Sequence, residues 1–420
     1  MSAKVKPGYK LTEVGVIPED WDVSTLDSLG RSGKPSIKAG PFGSSLTKNI
    51  YVKYGYKVYG QEQVIRGDYL FGDYFITKER FNELKSCSVE SGDILLSLVG
   101  TAGRVLIIPP GAPAGIINPR LIRFSFDRNS ICPVFFKSLI ETDAYQSLLS
   151  RSAQGGTMGV LNAGLLKLLC IPLPSLVEQE AIAEALSDTD VLIESIEQLI
   201  TKKRQIKQGA MQELLTGKKR LPGFSDGYDP YKQTDVGMIP DDWCVKTIEQ
   251  ISDVGRGRVI SHKEINTSKN SIYPVYSSQT SSNGVMGYID TYDFEGEYVT
   301  WTTDGANAGT VFYRVGRFNC TNVCGTIKLK SDNAIFVSMV LGGIAAPHVS
   351  RNLGNPKLMN DVVKKIKLPL PHTTLEQKAI ATILSDINAE IDVLVAKLEK
   401  ARQIKQGMMH NLLLGKTRLL

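Results

Sequence analysis

The stretch EQEAIAEALSDTDVLIESIEQLITKKRQIKQGAMQELLTG (Glu178–Gly217) is written again, with about half its letters unchanged, as EQKAIATILSDINAEIDVLVAKLEKARQIKQGMMHNLLLG (Glu376–Gly415). The copies align without a gap, and RQIKQG recurs letter for letter at Arg204–Gly209 and Arg402–Gly407. A long internal repeat fixes the architecture before any single residue does. In the second copy apolar residues fall at Ile380, Leu384, Ile387, Ile391, Leu394 and Leu398; in the first they fall at Ile182, Leu186, Ile193, Ile196 and Ile200, with Thr189 as a polar gap. The alternating four–three spacing predicts a coiled-coil seam. Helices of about 40 residues run about 60 Å, and a seam that long needs a partner. The nearest partner is the duplicate, and a two-fold relation between the halves makes the pair antiparallel. Ser175, and Thr373 or Thr374, are the expected N-caps, and Gly217 and Gly415 the expected C-caps. Gly209 and Gly407 precede further helical sequence, where glycine costs about 1 kcal/mol against alanine. Their recurrence predicts close backbone packing, either between the helices or against another subunit.

Outward from the helices, both copies follow a proline phrase, IPLP at Ile171–Pro174 and LPLP at Leu368–Pro371. Each half opens on a second repeated phrase, YKLTEVGVIPEDW (Tyr9–Trp21) and YKQTDVGMIPDDW (Tyr231–Trp243). Between phrase and helix lie blocks without obvious mutual similarity, at about residues 22–170 and 244–367. Short apolar runs bounded by Gly and Pro, DILLSLVG (Asp93–Gly100), RVLIIPP (Arg104–Pro110), EYVTW (Glu297–Trp301) and GTVFYRV (Gly309–Val315), predict strands. A helix is expected over Ile131–Leu149. The fold class is therefore α+β: two mixed strand/helix domains joined by two long antiparallel coiled-coil helices in a pseudo-two-fold repeat. The expected boundaries are 1–172 for the first domain, 173–217 for the first helix, 218–235 for a linker, 236–370 for the second domain and 371–420 for the second helix and tail.

Composition is that of a globular chain: 420 residues, 42% hydrophobic and 22% charged. A net charge of +6, from 49 basic and 43 acidic residues, permits a polyanionic partner without demanding one. The six cysteines are scattered, and no histidine lies near Cys320 and Cys324, so neither a zinc module nor a disulfide scaffold is expected. The N-terminus lacks the apolar core of a secretory signal, and no run of about 18 apolar residues suggests a membrane span. A cytoplasmic location is the expectation.

Catalytic signatures are thin. The Gly-Lys-Thr at Gly415–Thr417 is no P-loop, because His410 stands where the first glycine is required. No serine nucleophile elbow occurs. The Asn-Pro pairs at 118–119 and 355–356 lack the proline and aromatic of the amino-methyltransferase tetrapeptide. The four histidines are isolated. The expectation is a recognition chain with no catalytic residue, no metal and no cofactor of its own. Polar, glycine-rich loops carry side chains that suit base edges and phosphates. The DNA-binding candidates are Ser44, Ser45, Lys48, Gln61, Gln63, Arg66, Thr101, Arg104 and Thr157 in the first block. In the second they are Arg256, Arg258, Ser278, Gln279, Thr280, Asn283, Thr303, Asn307 and Asn322. An adaptor without DNA specificity shares the helices and the missing motifs, but it predicts no salt-dependent DNA binding. A self-contained methyltransferase or nuclease predicts activity from this chain alone.

Taken together, GPFGSSL, SGDILLSLVGTAGR, QGGTMGVLNAGLLKLLCIPLP, YPVYSSQT and GYIDTYDFEGEYVTWTTDGANAGTVFYR, with the repeated helices, resemble the specificity subunit of type I restriction–modification systems over nearly the full length. The resemblance implies two target-recognition domains, each reading half of a split, asymmetric site in double-stranded DNA. It implies that the helices set the spacing and seat two modification (methyltransferase) subunits, and that restriction motor–nuclease subunits join for cleavage. S-adenosylmethionine, ATP and magnesium would then belong to those partners.

Overall fold

The computed structural model describes residues 5–98, 103–154, 163–225, 230–351 and 354–419. The chain falls into two compact units, residues 1–197 with 397–420, and residues 198–396. The first unit is therefore closed by a stretch that is distant in sequence, whereas the second is one continuous segment.

The long helices are Leu176–Leu214 and Thr374–Leu412, 39 residues each. Ser175 Oγ accepts the Glu178 N–H at 3.3 Å, and Thr373 Oγ1 accepts the Glu376 N–H at 3.3 Å. The N-cap of the second helix is thus Thr373, while Thr374 is its first residue. Gly217 (φ +70) and Gly415 (φ +64) end the helices in the left-handed conformation. A Cβ at Gly217 would fall 2.5 Å from Pro240, and one at Gly415 2.5 Å from Pro18. Conformation and space both demand glycine there.

Within the first unit, Asp190 pairs with Lys405 at 2.5 Å, Glu197 with Arg402 at 2.6 Å, and Thr189 Oγ1 approaches Met408 Sδ at 3.5 Å. In the second, Lys203 pairs with Glu390, and Arg220 beyond the helix end reaches Glu376. One number rises as the other falls, so the helix segments run antiparallel in each unit. Along the expected seam Ile182, Leu186, Ile200, Ile380, Leu384, Ile391 and Leu398 are buried, and Ile193, Ile196, Ile387 and Leu394 are half-buried. The first seam positions also serve the blocks: Ile182 and Leu186 pack with Phe135, Phe136 and Leu413, and Ile380 and Leu384 with Phe336 and Trp243. The helix starts are core elements of their own blocks as well as partners of the other helix.

The repeated phrases make equivalent contacts. Tyr9–Thr12 and Gly15–Pro18 form a hairpin, as do Tyr231–Thr234 and Gly237–Pro240. The second hairpin begins inside the expected linker 218–235. Tyr9 OH donates to the Gly415 carbonyl at 3.1 Å, and Tyr231 OH to the Gly217 carbonyl at 2.9 Å. The proline phrases return as strands, Cys170–Leu173 against Asp22–Thr25 and Lys367–Leu370 against Cys244–Thr247. Arg418 binds Glu178 at 2.5 and 2.8 Å and Asp20 at 2.8 and 2.7 Å. Arg220 binds Glu376 at 2.6 and 2.9 Å and Asp242 at 2.8 and 2.9 Å. The next helix residue is equally fixed. Gln179 accepts from Cys132 N–H at 2.8 Å and Gln377 from Asn333 N–H at 2.8 Å, anchoring the helices Pro133–Ile140 and Ala334–Ile344. The single helix expected over Ile131–Leu149 is two, Pro133–Ile140 and Asp143–Gln154. Thr142 Oγ1 donates to the Leu139 carbonyl at 2.8 Å in the break between them.

The blocks, unlike in sequence, share a strand plan. In the first, strands Ile37–Ala39, Leu121–Phe124, Ile94–Ser97 and Val105–Ile107 form one sheet, and Phe75–Ile76, Tyr56–Tyr59, Gly115–Ile117 and Ser88–Val89 another. In the second, Ser252–Arg256, Cys324–Leu329, Phe294–Thr302, Val311–Cys320, Tyr273–Tyr276 and Val285–Ile289 make one six-stranded sheet. Leu96 pairs with Val105 as Trp301 pairs with Val311, and Ile117 lies beside Tyr59 as Cys320 lies beside Tyr276. The ten-residue strand Val311–Cys320 thus does the work of both Val105–Ile107 and Gly115–Ile117. In the first block Pro109, Pro110 and Pro113 interrupt it, since proline cannot donate to a ladder.

A Cβ on Gly209 or Gly407 would meet nothing within 4 Å. The expected close packing between the helices is therefore not seen at either position: among the described residues nothing comes near enough to require glycine. Gly209→Ala and Gly407→Ala should each stabilise the chain by about 0.5–1 kcal/mol, because alanine reduces the freedom of the unfolded chain. Calorimetry should show each unit's transition rising by about 2–4 °C per kcal/mol; an unchanged or lowered midpoint would reveal a contact at these positions.

Candidate nucleic-acid interface

Four chain segments meet at one end of each block's sheet system. In the first, the Asn118 N–H donates to the Tyr59 carbonyl at 2.8 Å, Leu98 N–H to Arg120 carbonyl at 3.0 Å, and Gly40 N–H to Leu121 carbonyl at 2.9 Å. In the second, Thr321 N–H donates to Tyr276 carbonyl at 2.8 Å, Thr303 N–H to Val323 carbonyl at 3.1 Å, and Gly257 N–H to Cys324 carbonyl at 3.1 Å. These are the same three bonds made twice. The glycines are equivalent too: a Cβ at Gly40 would fall 1.8 Å from the Asn118 oxygen, and one at Gly257 2.0 Å from the Cys320 oxygen. Each block thus holds together the chain at residues 40, 59, 98 and 118–121, or at 257, 276, 303 and 321–324, from which its loops leave. Loops positioned by a rigid scaffold are where binding residues concentrate.

Most sequence-predicted residues lie on these loops, but their states differ. Gln63 is buried and taken up by the fold: its Oε1 accepts the Gly60 N–H at 2.8 Å and its Nε2 donates to Phe71 carbonyl at 2.7 Å. It closes the turn into the helix Gln61–Arg66 and is not free to read a base. Gln61 is half-exposed beside a cleft of about 380 Å³ lined also by Tyr51, Tyr74, Glu62 and Arg120. Burial pushes the Tyr51 phenol above its ordinary pKa. Arg66 is exposed, with its guanidinium over the Phe71 ring at 4.0 Å. Ser45 is half-buried, its carbonyl accepting from Arg80 at 2.7 Å, and Arg104 is exposed. Thr101 and Thr157 lie outside the described residues, as do the side chains of Ser44 and Lys48.

In the second block Arg256 donates to Thr303 Oγ1 at 3.1 Å, and buried Thr303 donates to Asp304 at 2.6 Å. Thr303 therefore orients an arginine rather than a ligand. Arg258 is held by Asp293 at 2.9 Å and by Glu264 at 2.6 and 3.1 Å. Its guanidinium keeps the Glu264 carboxyl below the ordinary carboxylate range. A carboxyl lowered on folding stabilises above its unfolded pKa and loses that contribution only as pH falls through the folded value, so this clamp opens in acid alone. Ser278 donates to Val323 carbonyl at 2.6 Å, and Gln279 Nε2 to Val285 carbonyl. Thr280, Asn283, Asn307 and Asn322 present exposed side chains, Asn283 from a left-handed backbone (φ 54).

The sequence reading missed Arg120, exposed between Pro119 and Leu121. It also missed Arg314, buried between Tyr276 (3.7 Å) and Phe312 (4.3 Å) with its pKa lowered by desolvation. The only available signal was a lone arginine beside an Asn-Pro pair or in a strand, which many structural arginines share.

The profile of the type I restriction modification DNA specificity domain matches this chain twice, over residues 18–207 and 240–403. The chain belongs to that family. The specificity subunit of the type I restriction enzyme MjaVIII from Methanocaldococcus jannaschii is 24% identical over 435 aligned residues, covering 96% of this chain and 94% of its own. The type I restriction enzyme MpnII specificity subunit of Mycoplasma pneumoniae is 42% identical over 142 residues, 33% of this chain and 41% of its own. The match spans about half the length of most of the Mycoplasma pneumoniae relatives. In fold, the S subunit of a type I restriction–modification system from M. genitalium superposes with a TM-score of 0.60 at 17% identity, covering 97% of this chain and 98% of its own. Both family matches begin near the end of an opening phrase and run through a block into most of a helix, the unit of repetition seen in the structure. Among the described residues no helix is long and apolar enough to cross a membrane.

Because two carboxylates already balance Arg258, Arg258→Ala should leave the salt dependence of duplex binding by the full chain unchanged. A fall of about 1 in the log–log salt slope would instead make Arg258 a phosphate contact.

Proposed function

We propose that this chain is the DNA-specificity subunit of a type I restriction–modification complex. Each unit reads one half of a bipartite, asymmetric site in double-stranded DNA. The observation that carries this reading is the loop cluster built twice, with the same three backbone bonds and the same obligatory glycine on unlike sequences. A reader of two different half-sites needs one scaffold and two divergent sets of loop side chains. Exposed asparagines, threonines and arginines on these loops suit base edges and phosphates.

The chain itself is not the enzyme in this reading; it directs adenine methylation and endonuclease cleavage by its partners. The long helices fix the spacing and dock two methyltransferase subunits. Equivalent grooves support the docking. The first unit has one of about 500 Å³ lined by Leu139, Tyr145, Gln406, Gly407, Met409 and Leu413. The second has one of about 1110 Å³ lined by Lys207, Met211, Leu215, Val340, Ile344 and Pro369. Both flank the RQIKQG segment, and a partner there would explain a glycine whose absent Cβ meets nothing in this chain. Restriction subunits join for cleavage, in the cytoplasm. S-adenosylmethionine, ATP and magnesium are held by the partner chains and supply methyl transfer, translocation and cleavage there. This chain's residues bind and orient DNA.

Co-expression with a cognate methyltransferase subunit, followed by adenine-methylation mapping, should reveal one motif in two specified parts separated by an unspecified gap. A contiguous motif, or no methylation with an active methyltransferase, would overturn the proposal. The adaptor alternative predicts no salt-dependent DNA binding at all.

A further inference from the structure

We propose that Arg120 is a specificity-determining residue of the first unit, reading a base edge in its half-site; this rests on the DNA-specificity reading above. Its backbone is held on both sides. The Arg120 N–H donates to Asn118 Oδ1 at 2.9 Å, and its carbonyl accepts from Leu98 at 3.0 Å. The neighbouring turn is fixed by Asn118 N–H to Tyr59, by Leu121 N–H to Asn118 at 3.2 Å, and by the ring of Pro119. Gly40 packs so closely on the Asn118 carbonyl that any Cβ there would displace it. The backbone is therefore preorganised, and only the side chain remains to be ordered on binding.

That side chain is exposed, and among the described residues its guanidinium has no hydrogen-bond or ion-pair partner. The contrast with the second unit is direct: Arg256 and Arg258 are each tied to carboxylates or to Thr303. Arg120 also lines the cleft between Tyr51 and Gln61, where the Tyr51 and Tyr74 rings stand 5.0 Å apart. It occupies the place of Val323 in the second cluster, since both carbonyls accept the same bond from the loop that follows a central strand. The two units thus put different chemistry on one backbone position, an arginine fork in one and an apolar side chain in the other. An unpaired guanidinium on a rigid turn matches the bidentate geometry of the guanine major-groove edge.

The test is selection from a randomised duplex library with the full-length chain. Wild type should enrich a bipartite motif; Arg120→Ala should keep the second half and lose about 10-fold to 100-fold discrimination at one base pair of the first. Arg120→Lys keeps the charge without the fork and should lose the same preference. Weakening that is equal for all sequences, or full rescue by lysine, would overturn base reading and make Arg120 a phosphate contact. If wild type enriches no bipartite motif, the specificity reading itself fails, whatever the variants do. Thermal melting of both variants at the wild-type midpoint is expected, because among the described residues the Arg120 guanidinium makes no hydrogen bond or ion pair.

Discussion

Two arginines just beyond the helix ends hold the architecture together. Arg418 joins Glu178 in the first turn of one helix to Asp20 of the opening phrase, and Arg220 joins Glu376 to Asp242. Glu178 and Glu376 are almost wholly buried, at 1% and 2% exposure. A buried carboxylate is costly unless paired, and removing its partner typically costs about 3–5 kcal/mol. Each pairing is accordingly an all-or-nothing contact. It also fixes topology: the tail of one helix finishes the unit in which the other helix begins. The first unit is completed by residues 397–420, so the chain's two ends belong to one body. The recurrence of IPEDW as IPDDW, of EQ and of the helix-end glycine follows from this, because each phrase supplies one part of the same lock.

The blocks obey a looser rule. Their shared features are backbone features: strand pairings, three carbonyl-directed bonds and a glycine pressed against a carbonyl. Side chains may change freely as long as those persist. Even the strand that is continuous at Val311–Cys320 tolerates interruption by the proline loop after Ile107. Divergent loop side chains on a shared loop backbone are what the proposed reading of two different half-sites requires.

What the sequence made legible follows the same division. Side-chain periodicity announced both helices, their seam and their caps, since apolar spacing and terminal Ser, Thr and Gly are local signals. The repeated phrases announced the two-fold plan. The equivalence of the blocks was invisible, because hydrogen bonds between backbone groups leave no mark on residue type. The surroundings of individual candidate residues were hidden for a related reason. Gln63, Thr303 and Arg258 have the chemistry of DNA readers, but folding gives them internal partners. Arg120 looks ordinary until the turn that holds it is seen. The mid-helix glycines, read from their recurrence as signs of close packing, meet no such packing among the described residues.

The claim that each unit is completed by the other helix's tail is tested most directly by a double-mutant cycle on Arg418 and Glu178. Arg418→Met, Glu178→Gln and the double variant would be compared by urea unfolding of the full chain. A coupling of about 2 kcal/mol is expected, near the upper part of the range for contacting residues. Additivity within about 0.5 kcal/mol would contradict it, showing that the tail does not close the first unit.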